Sequence, residues 1–200
     1  MPAARRIRLP DPSFSTMRLP VQRMRALNAL RVHGPGRAAI GFRSEATHRF
    51  SHPDIPGGLL YLGLETETCL WERFGDELLD GQARLAKSVW TNSRLSRVRS
   101  TDSLKICDLT DDAARLRLGV DLTALMHSDL AVPQAWGLAI FRHPATVDGL
   151  RYLSRLNQQP CLVLFERPGL AARLKETLVG TLPDLDEASE FLTNHAIALV

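Results

Sequence analysis

Cysteine is scarce in this sequence, and the three present, Cys69, Cys107 and Cys161, have no paired spacing. An odd number set among apolar neighbours excludes a disulfide framework and a zinc cluster, and reads as core thiols in a reducing compartment. No apolar run approaches the roughly 18 residues a membrane helix needs. The N-terminus MPAARRIRLP is basic but lacks the apolar stretch of a secretory signal, so a cytoplasmic location is the expectation and no membrane partner is called for. The six histidines form no HExxH pattern, which argues against a bound metal. Neither a GxSxG elbow nor a phosphate-loop signature occurs. Gly34-Pro35-Gly36-Arg37 lacks the spacing of both nucleotide-binding glycine motifs and reads as a turn.

What is there suits one globular domain. Two hundred residues with 44% hydrophobic content can build a full core, and the prolines and glycines punctuate short elements without clustering into a linker. The net charge of +3 is unevenly spread. The first 37 residues are rich in Arg with a single Asp, Arg84 to Lys105 is basic, and Asp184, Asp186, Glu187 and Glu190 are acidic. Basic faces of this kind fit a solvated surface, a small anion, an acidic protein or nucleic acid.

Residues 1–20, with four prolines, read as an arm, 21–180 as the main domain and 181–200 as a tail that no pattern places. The spacing predicts an amphipathic helix over Val21 to Leu30 and a strand over Leu30 to His33. Leu59 to Leu62 reads as a strand, and Thr66-Glu67 opens a helix with Cys69, Leu70, Trp71, Phe74 and Leu78 as its apolar stripe. A further helix is expected over Gln82 to Trp90, then strands over Leu95 to Arg99 and Leu104 to Leu109. Thr110 would cap a short helix that Gly119 closes. Pro133 starts a helix that Pro144 ends, Val147 to Ser154 holds a turn and strand, Cys161 to Phe165 is the most apolar strand, and Leu170 to Leu178 is a weak helix.

The densest stretch is Arg49 to Gly75. It places an isolated Arg, a Pro-Gly-Gly turn, Tyr61 on a strand and Glu72 on a helix within 27 residues. With Arg31 at a strand end and Ser154 at a strand edge, these offer two cations, one carboxylate and two hydroxyls. Guanidiniums can clamp a diphosphate, and a carboxylate can stabilise positive charge growing on a sugar ring. Taken singly, each residue fits a bland role: Arg31 and Arg49 as surface cations, Tyr61 as a half-buried strand aromatic, Glu72 as a solvated helix residue. Periodicity does not decide which way Glu72 points.

The joint order of segments does more. Leu30-Arg31-Val32-His33, Thr47-His48-Arg49-Phe50-Ser51, Leu60-Tyr61-Leu62-Gly63 and Leu70-Trp71-Glu72-Arg73-Phe74 are followed by Pro133-Gln134-Ala135-Trp136, by Asp148 to Arg155 (DGLRYLSR) and by Cys161 to Phe165. Over residues 28–170 this resembles the RES domain, named for an Arg, a Glu and a Ser. The resemblance implies a compact α/β (α+β) domain similar to ADP-ribosyltransferases and a toxin of a toxin–antitoxin pair. Such a toxin degrades NAD at the nicotinamide–ribose bond, with inorganic phosphate or water as the attacking group and without a metal. It implies a helix-turn-helix antitoxin as partner and leaves a homodimer open; direct nucleic-acid binding is not expected. Carried over, Arg31 and Arg49 grip NAD, Tyr61 is the pocket aromatic, Glu72 the key acid and Ser154 the residue that positions substrate. Thr47 to Ser51 departs from the commoner Gly-Gly-Arg-Trp-Asn form of its motif. The alternatives are an ADP-ribosyltransferase acting on a macromolecule and a non-catalytic protein whose basic faces bind nucleic acid or an acidic partner.

Overall fold

The computed structural model of the chain describes residues 7–200, and its main feature is one mixed eight-stranded sheet. In chain order the elements are β1 (Val21–Met24), β2 (Asn28–His33), β3 (Leu59–Gly63), α1 (Thr66–Asp80), β4 (Arg84–Leu85), α2 (Lys87–Thr91), β5 (Arg94–Ser100) and β6 (Leu104–Asp108). They continue with α3 (Asp112–Leu118), α4 (Leu122–Leu125), α5 (Ala131–Arg142), β7 (Gly149–Leu153), β8 (Pro160–Phe165), β9 (Leu174–Thr181), α6 (Asp186–Asn194) and β10 (Ala198–Leu199). The large sheet runs β1-β6-β7-β8-β3-β2-β5-β9, and β4 pairs with β10 separately. Only β6 and β7 are parallel within the large sheet.

The centre of the sheet explains its own sequence. Along β8, Cys161, Val163 and Phe165 enter one buried cluster while Leu162 and Leu164 enter another. A strand covered on both faces has no polar side to show, hence the continuous run CLVLF. β3 alternates in the same way, with Leu59 and Tyr61 beside the first cluster and Leu60 and Leu62 in the second. Trp136 and Ile140 of α5 belong to the first cluster. Cys69, Leu70, Phe74 and Leu78 of α1 form a third with Leu30 and Val32 of β2 and with Phe191 of α6.

Neighbouring strands pair along most of their length, with one exception. β3 matches β8 from Leu59 to Gly63, and β2 matches β5 from Asn28 to His33. Between β2 and β3 the register holds a single pair, Leu30 with Gly63. At the other end of β3 the edge is taken by a loop residue: the Arg43 and Leu59 backbones exchange hydrogen bonds of 3.0 and 2.8 Å. Gly58 permits this approach, since it has φ +104° and a Cβ there would fall 2.3 Å from the Arg43 carbonyl carbon.

Several expectations need correction. Val21 to Leu30 is not a helix: its apolar spacing suits one, but β1 pairs with β6 and β2 with β5, and sheet pairing overrides a ten-residue helical pattern. Gln82 to Trp90 is not one helix, because Gln82 and Ala83 take φ of 53° and 61°, and a two-residue strand precedes the short α2. Leu170 to Leu178 contains a 3-10 turn, Ala171–Arg173, and then β9. As an edge strand β9 has five consecutive exposed residues, so it lacks the alternation that reveals a strand. The cap of α3 is Asp111, which accepts from the Ala114 N–H, while Thr110 donates to Asp108. Gly119 does close that helix, at φ +68°.

Residues 1–6 of the expected arm lie outside the described residues, and the segments at both ends of the described chain are packed. Phe14 and Leu19 are buried, and the Trp136 indole N–H donates to the Arg8 carbonyl at 2.9 Å. Phe191 of α6 meets Trp71 of α1 edge to face. Among the described residues no helix is long and apolar enough to cross a membrane.

Candidate active site

The gap where β2 and β3 cease to pair opens into a cavity of about 960 Å³. Its walls come from β2 (Arg31 to His33), the following loop (Arg37, Arg43, His48, Arg49), β3 (Tyr61), α1 (Glu72, Arg73, Asp76), the segment before α5 (Met126 to Ser128) and the region of Tyr152 and Arg155. Each wall is set by a local reason. α1 buries Leu70 and Phe74, which turns Glu72, two positions from each and on the opposite side of the helix, out of the core and into the opening. Gln134 of α5 donates from Nε2 to the carbonyls of Ala46 (2.8 Å) and His48 (3.1 Å), and so fixes the loop that delivers Arg49.

Glu72 is held from behind. The Ser154 hydroxyl donates to its Oε1 at 2.5 Å, and the Tyr152 hydroxyl donates to Oε2 at 3.4 Å. Ser154 is fully buried, and its Oγ also accepts from the Leu156 N–H at 3.2 Å. Its hydroxyl therefore faces the carboxylate, away from the open cavity. Burial pushes the Tyr152 phenol well above its ordinary pKa, so at neutral pH it remains a proton donor to the carboxylate.

The other expected residues divide by role. Arg49 lines the cavity, and its guanidinium reaches one protein oxygen, the Leu125 carbonyl, at 3.4 Å. Tyr61 also lines the cavity, but its hydroxyl accepts from the Phe50 N–H at 3.0 Å and shares a 3.2 Å hydrogen bond with Ser51. Burial raises its pKa to about 12. Tyr61 thus ties down the loop on either side of Phe50, with the His48 ring 5.5 Å from its own. Arg31 donates from one nitrogen to the Ala39 and Gly41 carbonyls at 2.8 and 3.0 Å. Burial, then the nearby Arg43 and Arg37, lower its pKa to about 10, which leaves it charged at neutral pH.

Six guanidiniums and two carboxylates line the cavity, so its field is strongly positive. One ion pair, Arg155 with Asp76, is internal to the wall. Among the described residues no group of His, Cys, Asp and Glu side chains is arranged to hold a metal ion. The geometry suits an anionic ligand placed against the cations with one part presented to a fixed carboxylate.

A family model described as the RES domain matches residues 25–186. The chain belongs to the RES domain family. No curated protein sequence gives a significant match. Among solved structures, a chain of the M. tuberculosis MbcT–MbcA toxin–antitoxin complex is similar with a TM-score of 0.58 and 20% identity, over 87% of this chain and 92% of that one. At that identity the likeness concerns the fold.

Within this RES domain, sequence reasoning passed over Arg37, Arg43 and Arg73 as cavity residues and Tyr152 as a partner of Glu72. Arg73 and Tyr152 lie inside motifs that were recognised. Arg37 and Arg43 sit in a loop whose polar sequence has no period, and long-range contacts, the pairing of Arg43 with Leu59 and the bonds of Arg31 to the Ala39 and Gly41 carbonyls, bring it to the cavity.

His48 gives a first prediction. Partial burial, then Arg43, hold its imidazole below the ordinary histidine pKa, so it is neutral at pH 7. A bound phosphate nearby favours the imidazolium. The His48 pKa should therefore rise when ADP binds, and ADP affinity should strengthen as pH falls between the free and bound values. Titration of the His48 ring proton by NMR, with and without ADP, measures this. An identical pKa in the saturated complex would place the phosphates elsewhere.

Proposed function

We propose that this chain is an NAD-degrading enzyme of the toxin type, which breaks the bond between nicotinamide and ribose. The observation that carries the reading is Glu72: a carboxylate fixed by two buried hydroxyls on the wall of a cavity otherwise dominated by guanidiniums. A dinucleotide presents two phosphate charges and a sugar that becomes cationic when its glycosidic bond breaks, and the two halves of the cavity match those needs.

In this mechanism Arg31 and Arg49 hold the pyrophosphate through donors that the protein leaves free, and the nicotinamide ribose lies against Glu72. The C1′–N1 bond breaks with both electrons passing to the nicotinamide nitrogen, which turns a pyridinium into a neutral leaving group. No general acid is required for that step. Glu72 stabilises the positive charge left on C1′ and O4′, where a glycosidase of the usual kind needs a second carboxylate to protonate its leaving group. Inorganic phosphate or water then adds to C1′, and water gives up its proton to solvent. Ser154 and Tyr152 act through Glu72 by fixing its orientation, and Tyr61 acts through the loop that carries Arg49. Likeness to the ADP-ribosyltransferase fold and inhibition by a protein antitoxin belong to the same proposal. The fold shared with a chain of a toxin–antitoxin complex supports the second.

The test is product analysis with labelled NAD, with and without phosphate. Free nicotinamide with ADP-ribose or its 1″-phosphate is the expected result. Label retained on a macromolecule would indicate transfer, and intact NAD would overturn the reading. Arg49→Ala should weaken NAD binding about tenfold or more, as loss of a charge-assisted contact to phosphate does. Calorimetry checks it, and unchanged affinity would remove Arg49 from the phosphate grip.

A further inference from the structure

The cavity holds more positive charge than a pyrophosphate can use. Arg155 is neutralised by Asp76. Arg49 shares its part of the wall with Glu72, since both act electrostatically on the phenols of Tyr61 and Tyr152. Arg31 spends one nitrogen on two carbonyls of the 39–41 segment, which pins that loop to β2. This leaves Arg37, Arg43 and Arg73. Among the described residues, none of their guanidiniums takes part in a hydrogen bond or ion pair.

These cations are gathered on one side. Both Arg31 and Arg73 line the cavity with Arg37 and Arg43, and burial first, then those two arginines, lower the pKa of each. The two nearby acids, Glu176 beside Arg31 and Glu77 beside Arg73, sit at the periphery and do not line the cavity. Arg43 springs from a fixed point on the cavity wall, because its backbone is bonded to Leu59 in both directions and packed against Gly58. Like charges gathered in excess of the two acids beside them repel, and the arrangement is relieved by an anion of more than one charge. A phosphate monoester, carrying close to two negative charges at neutral pH, fits that requirement better than a phosphodiester.

We propose that Arg37, Arg43 and Arg73 form a phosphomonoester subsite beside the pyrophosphate grip, so that the enzyme accepts the 2′-phosphorylated dinucleotide NADP as well as NAD. The inference rests on the reading of the cavity as a dinucleotide site. Its chemistry is unchanged at the reacting end: Glu72 faces the nicotinamide ribose, and the added phosphate, on the adenosine ribose, meets the guanidinium group. Arg31 is the positioning residue, since its two bonds to the 39–41 carbonyls set the loop between Arg37 and Arg43.

Two measurements test this. In the first, nicotinamide release is followed with NAD and with NADP for the wild-type protein, the Arg37→Ala/Arg43→Ala double variant, and Arg99→Ala, which removes an exposed cation at the far end of β5. The expected result is kcat/KM for NADP at least equal to that for NAD. In the double variant it should fall about tenfold or more further for NADP than for NAD, with Arg99→Ala unchanged. NAD cleavage with NADP spared, or equal losses on both substrates, overturns the proposal.

The second measurement is calorimetric and needs no turnover. Adenosine 2′,5′-bisphosphate should bind the wild-type protein about tenfold more tightly than AMP, and the double variant should lose most of that preference. Equal affinities in the wild type, or an undiminished preference in the variant, overturn the subsite. If neither dinucleotide is cleaved, the enzymatic reading fails by itself, and the binding ratio still decides the subsite.

Discussion

Glu72→Gln is expected to lower NAD turnover about 100-fold or more while leaving NAD affinity nearly unchanged. The substitution keeps the size of the side chain and removes the negative charge; since Ser154 and Tyr152 donate to separate carboxylate oxygens, only one of them keeps its acceptor. That charge matters little to the bound substrate, whose nicotinamide is already a delocalised cation. It matters most at the point where positive charge moves onto the ribose ring. Loss should therefore appear in kcat with little change in KM, measured as nicotinamide release with binding followed separately. Turnover near the wild-type level would sink the assignment. A rise in KM at constant kcat would recast Glu72 as a binding residue.

Phe74→Ala is expected to destabilise the domain by about 3–5 kcal/mol. Phe74 is completely buried, shares its cluster with Leu30 and Val32 of β2 and Leu70 of α1, and has the Trp90 ring 5.8 Å away. Truncation leaves a void under the helix that carries Glu72, between elements that cannot all collapse onto it. Denaturant unfolding monitored by tryptophan fluorescence measures the change. A cost below about 1 kcal/mol would mean that α1 settles freely on the sheet, contrary to the close packing described. Activity of the folded fraction should also fall, because Glu72 lies two residues from the void.

The sequence made the middle of the molecule legible and its margins obscure. β3 and β8 could be read because burial on both faces leaves only apolar residues, and α1 and α5 because each shows an apolar stripe bounded by recognisable starts. β1 and β9 could not. Both are edge strands of the large sheet, with mostly exposed residues, and nothing local distinguishes LKETL in a strand from LKETL in a helix. The same division runs through the site. Arg49, Tyr61 and Glu72 lie on motifs that were recognised, and they meet at the cavity. Ser154 was expected to face substrate, yet its hydroxyl is aimed at Glu72 inside the protein. A serine at a strand edge carries no sign of which side it serves. Arg43 is placed by its backbone pairing with Leu59 and the loop after Arg37 by the bonds of Arg31 to the Ala39 and Gly41 carbonyls, and residues 34–58 have no periodicity from which either could be inferred.

The single register pair joining β2 to β3 has a consequence beyond the shape of the opening. A full ladder would have consumed the main-chain donors and acceptors along these facing edges. Because the strands stop pairing after Leu30 and Gly63, the peptide groups next to Arg31 and Tyr61 are not spent on each other across the gap. A molecule seated in that gap would meet main-chain donors and acceptors as well as side chains. Contacts of that kind would survive many side-chain substitutions, since every residue supplies a carbonyl and every residue except proline an N–H.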